Sequence, residues 1–181
     1  MNTNTNKKDK IKITLVRPTL EMKQKGLEYR KEHFDNGEMI INGSELFDKI
    51  ESYEEWLEKV NDNTSPDTVD SNWVVTDTFF AVDKNERIVG IIDLRHSLNE
   101  FLKDFGNCGY SVRPTERRKG YATEMLHQII IVAKEIGLLE LNLSVERDNV
   151  PSIKTIVKNG GKYYRSFEHE GKLADVYKIV L

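Results

Sequence analysis

Cysteine is almost absent from this sequence, because only Cys108 among its 181 residues is a cysteine. A single thiol excludes an intramolecular disulfide and a zinc site built from several thiolates. The four histidines are scattered along the chain, at His33, His96, His127 and His169, so we expect no metal. A chain of this length buries roughly two-thirds of the surface that its unfolded form exposes, and it can therefore form a core without such cross-links.

Long hydrophobic runs are also missing. The longest strictly apolar segment is five residues, Ile129 to Ala133, whereas a membrane-spanning helix needs roughly 20. We therefore expect no association with a membrane. The first ten residues, MNTNTNKKDK, are polar throughout and do not have the hydrophobic stretch of a signal peptide. We expect residues 1–10 to be a disordered lead-in to a cytoplasmic protein.

Neither sign of charge dominates the sequence. It has 27 Lys and Arg residues against 30 Asp and Glu residues, a formal net charge of −3. Proteins that bind nucleic acids usually carry a basic excess on one face. We therefore expect no nucleic-acid partner, and any basic patch must be local.

The hydrophobic pattern predicts one mixed α/β domain over residues 11–181. The segment IKITLV predicts a first strand, and a helix is predicted from Thr19 to Phe34. Its predicted buried stripe has seven-residue spacing: Leu20, Leu27 and Phe34. A second helix is predicted from Ser44 to Val60, which the capping-box pair Ser52 and Glu55 could divide into two.

The second half of the chain alternates strands and helices. The segments WVVTDTFFAVD and RIVGIIDLRH predict a hairpin, and CGYSV predicts a third antiparallel strand. The remaining predicted elements are a helix from Ala122 to Ile136 that stops at Gly137, a strand from Leu139 to Val145, a helix from Asn149 to Lys158, and strands from Lys162 to Phe167 and Leu173 to Leu181.

The most informative segment is YSVRPTERRKGYA, Tyr110 to Ala122. A strand ends, a proline breaks it, and a helix begins at a bend that contains glycine. This order directs unpaired backbone N–H groups and the positive end of the helix dipole at one point. Arg117, Arg118 and Lys119 add positive charge, and Gly120 removes a side chain where a phosphate must approach the backbone. The segment predicts a pyrophosphate site, although these residues alone also fit a solvated basic turn.

The segment lacks the two common nucleotide motifs, G-x-x-x-x-G-K-[ST] and G-x-G-x-x-G, which argues against a P-loop hydrolase and a Rossmann dehydrogenase. It resembles instead the acetyl-CoA loop of the GCN5-related N-acetyltransferase (GNAT) superfamily, whose signature is Gln/Arg-x-x-Gly-x-Gly/Ala. Arg117-Arg118-Lys119-Gly120-Tyr121-Ala122 fits that signature. The stretches IVGIIDLRHSLN and KTIVKNGG look like a bacterial branch of predicted acetyltransferases in that superfamily.

The resemblance implies the GNAT fold, an α/β (α+β) architecture with a mixed, mostly antiparallel central sheet and helices on both faces. It implies acetyl-CoA as co-substrate and no metal. The implied cofactor-binding residues come from a strand, a loop and a helix start: Tyr110, Ser111 and Val112; Arg117, Arg118, Lys119, Gly120, Tyr121 and Ala122; and Asn149 with Ser152.

The sequence departs from the family at the positions that usually transfer protons. A tyrosine commonly lies seven residues after Asn149, where this chain has Ile156, and a glutamate commonly lies five residues before it, where this chain has Ser144. Gly161 replaces a frequent phenylalanine. The usual acid and base therefore cannot be assigned by resemblance.

Three other residues are candidates for the catalytic base: Asp93, His96 and Glu146. Asp93 and Arg95 share one face of the predicted strand, so an ion pair between them is the competing interpretation. Imidazole exchanges protons near neutral pH, although a histidine at a strand end is more often structural. Glu146 lies just past a predicted strand, and Tyr163 or Tyr164 could supply the missing phenol.

These observations predict an acetyl-CoA-dependent N-acetyltransferase that passes acetyl directly to an amine-bearing small molecule or peptide. The alternative is a GNAT module that binds acetyl-CoA as a sensor or interaction domain, and the missing tyrosine and glutamate support it. A homodimer is one option for its assembly. A cationic acceptor is suggested by acidic residues of the second helix and the loop after it: Glu51, Glu54, Glu55, Glu58, Asp62, Asp67 and Asp70. Such residues are equally common on a solvated helix face.

Overall fold

The computed structural model describes residues 12–181. The predicted lead-in and the first residue of the predicted first strand lie outside these residues. The strands are β1 (Ile13–Val16), β2 (Thr76–Asp83), β3 (Ile88–Arg95), β4 (Tyr110–Val112), β5 (Glu140–Glu146), β6 (Lys162–His169) and β7 (Lys172–Val180). The α-helices are α1 (Lys23–Asp35), α2 (Tyr53–Asp62), α3 (Tyr121–Glu135) and α4 (Val150–Lys158).

The strands form two antiparallel sheets. One has the order β1-β2-β3-β4 and the other the order β5-β7-β6. The predicted α/β class and the predicted hairpin of β2 and β3 are confirmed. The observed sheet differs from the expected single central sheet because it divides between β4 and β5. An isolated bridge from Gly106 to Leu143 joins the two edges.

Both faces of the first sheet are buried, which explains why β2 and β3 are apolar at nearly every position. Phe79 and Ile92 face a cluster that contains α3, where Met125 and Ile129 are fully buried. The alternate residues of the same strands face a second cluster with α1 and α2: Phe80, Ile88 and Ile91. Helices therefore cover both faces, as the sequence predicts.

The predicted buried stripe of α1 is confirmed in part. Leu27 and Phe34 are half-buried and pack against the second cluster. Leu20 is exposed, and the fully buried residues of the helix are Gly26, Tyr29 and His33. The 3,4 spacing of these residues follows one face of a helix. Tyr29 contacts Phe80 edge to face. The seven-residue pattern therefore marks the packing side of the helix from Leu27 onward, although the most deeply buried residues are a glycine, a tyrosine and a histidine.

The predicted second helix is wrong over its first half. Residues 44–49 form turns, and α2 begins only after Ser52, whose hydroxyl accepts a hydrogen bond from the Glu55 backbone N–H. Glu45 and Leu46 have positive φ angles of 50° and 67°, which a helix does not allow. The capping pair therefore marks the start of the helix rather than an interruption within it.

Candidate functional site

A cleft of about 370 Å³ lies where the two sheets divide. Cys108, Gly109 and Tyr110 line one side of it, and Leu143 to Glu146 line the other. At its closed end, the Asn107 backbone N–H donates to the Asn142 carbonyl at 2.7 Å, and the Asn107 side chain accepts from the Asn142 N–H at 2.9 Å. These bonds fix where the sheets meet and hence where the cleft begins.

The backbone of β4 presents free donors to this cleft. The Asp93 N–H donates to the Gly109 carbonyl, and the Arg113 N–H donates to the Val89 carbonyl. Because hydrogen-bonded and non-bonded pairs alternate in an antiparallel ladder, the N–H groups of Tyr110 and Val112 point away from β3. They therefore face the open edge of the first sheet.

The predicted anion loop precedes α3. Gly120 caps the helix with a φ of 88°, a left-handed conformation that glycine adopts without strain. In the described part of the chain, no hydrogen bond from the backbone N–H groups of residues 118–123 is present. The Arg118 side chain is exposed and forms no ion pair with residues 12–181. The loop therefore offers unpaired donors and positive charge, as the sequence predicts.

The two other basic residues of the loop already have partners. The Arg117 guanidinium donates two bonds of 2.6 Å to the Glu38 carboxylate. It thereby holds the pKa of Glu38 at about 2, well below the ordinary value of 4.5. Lys119 pairs with Glu116 at 2.8 Å. Arg117 thus braces the loop against the chain before α2, and its side chain faces Glu38 rather than an open anion site.

The start of α4 forms another wall of the cleft. The Asn149 side chain accepts a bond from the Ser152 backbone N–H, which caps the helix. Both residues line the cleft, as does Tyr110, whose hydroxyl donates to the Ser152 carbonyl at 3.4 Å. Burial raises the pKa of Tyr110 to about 12. The predicted cofactor-binding residues Tyr110, Asn149 and Ser152 are therefore brought together at the cleft, whereas Ser111 and Val112 do not line it.

Asp93 does not line the cleft. It is fully buried, and its carboxylate accepts from the Arg95 guanidinium at 2.7 Å and from the Gly109 backbone N–H. The ion pair considered from the sequence is thus confirmed. Arg95 also donates to the Gly106 carbonyl. The pair consequently holds the segment from Gly106 to Gly109, which forms the closed end of the cleft.

Glu45 is a neighbour of this pair that the sequence did not reveal. It is buried, accepts a 2.8 Å bond from the Asn63 side chain, and lies 4.0 Å from the Arg95 guanidinium. Burial raises the pKa of Glu45, and the nearby Asp93 carboxylate raises it further. Its position depends on the positive φ at residue 45, for which the sequence gives no signal.

His96 also lies outside the cleft. Its Nε2 atom is 2.9 Å from an Asp77 carboxylate oxygen, and the other oxygen accepts a 2.6 Å bond from Arg17. His96 and Asp93 point to opposite faces of β3, as the strand alternation predicts. The structural role that was weighed for this histidine agrees with its contacts.

Glu146 is the one predicted catalytic residue that lines the cleft, and it pairs there with Lys172. His169 lines the same space and packs edge to face on Phe105, with ring centroids 5.0 Å apart. His169 lies between the two last predicted strands and in the structure is the final residue of β6. The hairpin of β6 and β7 brings it to the cleft, and the sequence gives no signal of that position.

The positions of the missing acid and base do lie in the cleft. Ile156 and Ser144 both line it, and the Ser144 hydroxyl donates to the Phe105 carbonyl. Tyr163 and Tyr164, considered as sources of a phenol, are more than half exposed and do not line the cleft. The acidic residues of the second predicted helix and its loop do not line it either.

Among residues 12–181, no helix is long and apolar enough to span a membrane. No group of three or more His, Cys, Asp or Glu side chains in the same range is arranged to hold a metal ion.

Comparison with known proteins places this geometry in context. The family model described as "Acetyltransferase (GNAT) domain" matches residues 42–162. No curated protein sequence matches the chain.

Solved structures resemble the fold at low sequence identity. The microcin C7 self-immunity acetyltransferase MccE, in complex with acetyl-CoA and AMP, is 16% identical with a TM-score of 0.69, over 93% of this chain and 92% of that one. The spermidine/spermine N-acetyltransferase SpeG from Vibrio cholerae is 15% identical with a TM-score of 0.64, over 93% of each chain. YncA from Salmonella typhimurium, with its cofactor acetyl-CoA, is 11% identical with a TM-score of 0.65, also over 93% of each chain.

Proposed function

The chain belongs to the GNAT acetyltransferase family, and we propose on that basis that it transfers acetyl from acetyl-CoA directly to an amine. The observation that carries the proposal is the row of unpaired N–H groups at residues 118–123, where α3 begins. Helix starts of this kind bind phosphate. Gly120 has no Cβ to obstruct a phosphate that approaches the loop, so the residues present fit a pyrophosphate.

The cleft between β4 and β5 continues the site. Tyr110 and Val112 offer backbone N–H groups at one edge, and Asn149 and Ser152 lie opposite, at the start of α4. Acetyl-CoA supplies the acyl group as a thioester. A β4 N–H group that donates to the thioester oxygen would stabilise the negative charge that develops there.

An amine must lose its proton before it can attack a carbonyl carbon. Glu146 and His169 both line the cleft and are the groups we assign to receive this proton. Asp93 and His96 are assigned to structure, because their polar atoms are engaged away from the cleft.

The leaving thiolate also needs a proton. The Tyr110 hydroxyl already donates to the Ser152 carbonyl, so we do not assign it as the proton donor. Because free thiols titrate near 8.5, solvent at neutral pH can protonate the thiolate, and we propose solvent as the proton source. This arrangement requires no covalent enzyme intermediate, so Cys108 is not needed as a nucleophile.

A second function is favoured by Ile156 and Ser144, which place no acid or base at the family's usual positions in the cleft. A protein that binds acetyl-CoA without efficient transfer would act as a sensor. Release of free thiol from acetyl-CoA, measured with a panel of amines, amino acids, polyamines and peptides, separates the two functions. Turnover with any acceptor supports the enzyme, whereas binding without turnover supports the sensor.

Binding itself is tested by thermal unfolding with and without acetyl-CoA. At 100 times its dissociation constant, a ligand adds roughly 2.7 kcal/mol to native stability, which we expect to raise Tm by about 5 to 10 °C in a chain of this size. The absence of a shift at millimolar acetyl-CoA would refute the proposal.

The two glycines at the ends of α3 provide a matched pair of variants. Gly120 and Gly137 have φ angles of 88° and 86°, so alanine at either position should cost roughly 1 to 2 kcal/mol of stability. Only Gly120→Ala should also weaken acetyl-CoA binding, by about 10-fold or more, because its Cβ would lie among the phosphate donors. Equal affinity in both variants would show that the loop does not bind phosphate.

A further inference from the structure

An exposed ion pair between β5 and β7 lines the cleft. The Lys172 ammonium of β7 donates to both carboxylate oxygens of Glu146 on β5, at 3.0 and 3.1 Å. Among the described residues that line the cleft, Glu146 is the only carboxylate, and Lys172 is the only lysine or arginine. The cleft therefore holds one fixed charge of each sign.

This ion pair is easily opened. The two side chains are 67% and 51% exposed, and ion pairs exposed to this degree add little to stability. Once a ligand separates them, each charge needs a new partner of opposite sign. A ligand that carries both an ammonium and a carboxylate would satisfy both groups.

Aromatic rings lie beside this charged pair. Phe105 and Phe167 line the cleft edge to face, with ring centroids 6.3 Å apart, and His169 packs on the same Phe105 ring. Aromatic and apolar groups favour such surroundings, in which edge-to-face contacts add to their burial. The cleft thus combines two opposite charges with an apolar surface.

We propose that the acceptor is an α-amino acid with an apolar or aromatic side chain, whose ammonium pairs with Glu146 and whose carboxylate pairs with Lys172. This inference rests on the proposed function. Glu146 takes one proton from the ammonium, the amine nitrogen forms a bond to the thioester carbonyl carbon, and the C–S bond breaks. The nitrogen then loses its second proton, which passes through water to the CoA thiolate, and Glu146 returns its own proton to solvent. A polyamine would bring several positive charges to one carboxylate, and a simple monoamine would leave Lys172 unpaired.

The decisive comparison is between L-phenylalanine and phenethylamine, which differ only in the carboxylate. For the full chain with acetyl-CoA, we expect kcat/KM for phenylalanine to exceed that for phenethylamine by about 10-fold or more. Equilibrium titration of both compounds into the protein saturated with coenzyme A should show the same order of affinity, independently of turnover.

Three variants assign the preference to the ion pair. Lys172→Met keeps the length of the side chain and should abolish the preference, through a loss of about 10-fold with phenylalanine and none with phenethylamine. Glu146→Gln should lower the affinity and kcat/KM for both compounds. Lys178→Met is the matched control, because Lys178 pairs with Glu140 at 2.8 Å across the same two strands but outside the cleft, and it should behave as the wild type does.

Equal kcat/KM values for phenethylamine and phenylalanine in the wild type would overturn the inference, and so would a preference for phenylalanine that persists in Lys172→Met. Turnover of polyamines or peptides without amino acids would overturn it while leaving the acetyltransferase proposal intact. Acetyl-CoA binding without any turnover would overturn both and support the sensor. Failure to bind acetyl-CoA at all would refute the proposed function itself.

Discussion

Ile156 determines how much room the reacting end of the cleft has. It is almost fully buried and packs against Gly161, where a Cβ would collide with the isoleucine side chain. The small residue at 161 and the branched residue at 156 are therefore complementary in volume. A larger ring at either position must displace its neighbour.

This packing gives a clean test of the missing proton donor. Ile156→Tyr and Ile156→Phe should each lose about 1 to 3 kcal/mol of stability through overpacking. Because a positioned acid typically contributes 100-fold or more, we expect kcat for the tyrosine variant to exceed that for the phenylalanine variant by about 10-fold or more. Equal kcat values in the two variants would mean that a phenol at this position does not reach the sulfur.

Glu38 couples stability to pH at the anion loop. Its carboxylate binds Arg117 and also accepts from His33, and its pKa falls to about 2. A carboxyl group whose pKa is lowered by folding stabilises the native state at pH values above its unfolded-state pKa. This contribution disappears as the pH falls towards the folded-state pKa. Because Arg117 is 42% exposed, screening by water limits the effect to about 1 kcal/mol.

Glu38→Gln should therefore be less stable than the wild type by about 1 kcal/mol at pH 7. The difference should shrink as the pH is lowered from about 4.5 to 2, because the wild-type carboxyl becomes protonated there. Urea unfolding across this range measures it. Glu100→Gln, at a residue 94% exposed, is the control and should change stability by less than about 0.5 kcal/mol. A difference for Glu38→Gln that does not vary with pH would contradict the assignment.

At the scale of elements, β3 and the segment before β4 depend on each other. Asp93 and Arg95 of β3 hold Gly109 and Gly106. The Arg95 backbone N–H also donates to the Asn107 carbonyl, and the Asn107 side-chain amide donates to the Arg95 carbonyl. Removing one member of a buried ion pair leaves the other charge uncompensated, which typically costs 3 to 5 kcal/mol. The β3–β4 connection is thus where the cleft is most sensitive to mutation.

Asp93→Asn should accordingly lower stability by about 3 to 5 kcal/mol. Its kcat/KM per folded molecule should keep the pH dependence of the wild type, since the carboxylate does not touch the cleft. The measurement is denaturant unfolding alongside kcat/KM from pH 5 to 9. Unchanged stability together with a lost acidic limb of the pH profile would instead identify Asp93 as the base.

The elements differ in how far the sequence predicts them. The anion loop was predictable because a proline, three basic residues and Gly120 act within a few positions of one another. The engagement of Arg117 was not, because its partner Glu38 lies 79 residues earlier. The turns at residues 44–49 were not predicted because the apolar spacing from Leu46 onward favours a helix. Glu45 and Leu46 instead have positive φ angles, which a helix does not allow.

The same contrast applies to the candidate site. Tyr110, Asn149 and Glu146 were placed at the cleft by strand and helix ends, which local patterns reveal. His169 and Lys172 reach it only because β7 pairs between β5 and β6. That strand order is a long-range property, and no short motif encodes it.

At the scale of the whole molecule, the two sheets end in strands that face each other without pairing along most of their length. β4 closes one sheet and β5 closes the other. Within residues 12–181, the segment before β4 is joined to β5 by the bridge from Gly106 to Leu143, by the bonds of Asn107 and by the bond from Ser144 to Phe105. The ligand-sized gap is therefore a consequence of strand order rather than of any single side chain.

Unpaired strand edges are templates on which other chains assemble. β4 has only three residues, but β5 has seven, enough to recruit a strand from a neighbouring molecule. A ligand seated in the gap covers both edges. We expect the empty protein to aggregate on warming at temperatures where the acetyl-CoA-bound protein stays dispersed, as light scattering would show at equal fractions of unfolded chain. Identical scattering would contradict this. The concentration of acetyl-CoA would then determine how long the protein stays dispersed, and a low concentration would reduce the amount of dispersed protein as well as its supply of substrate.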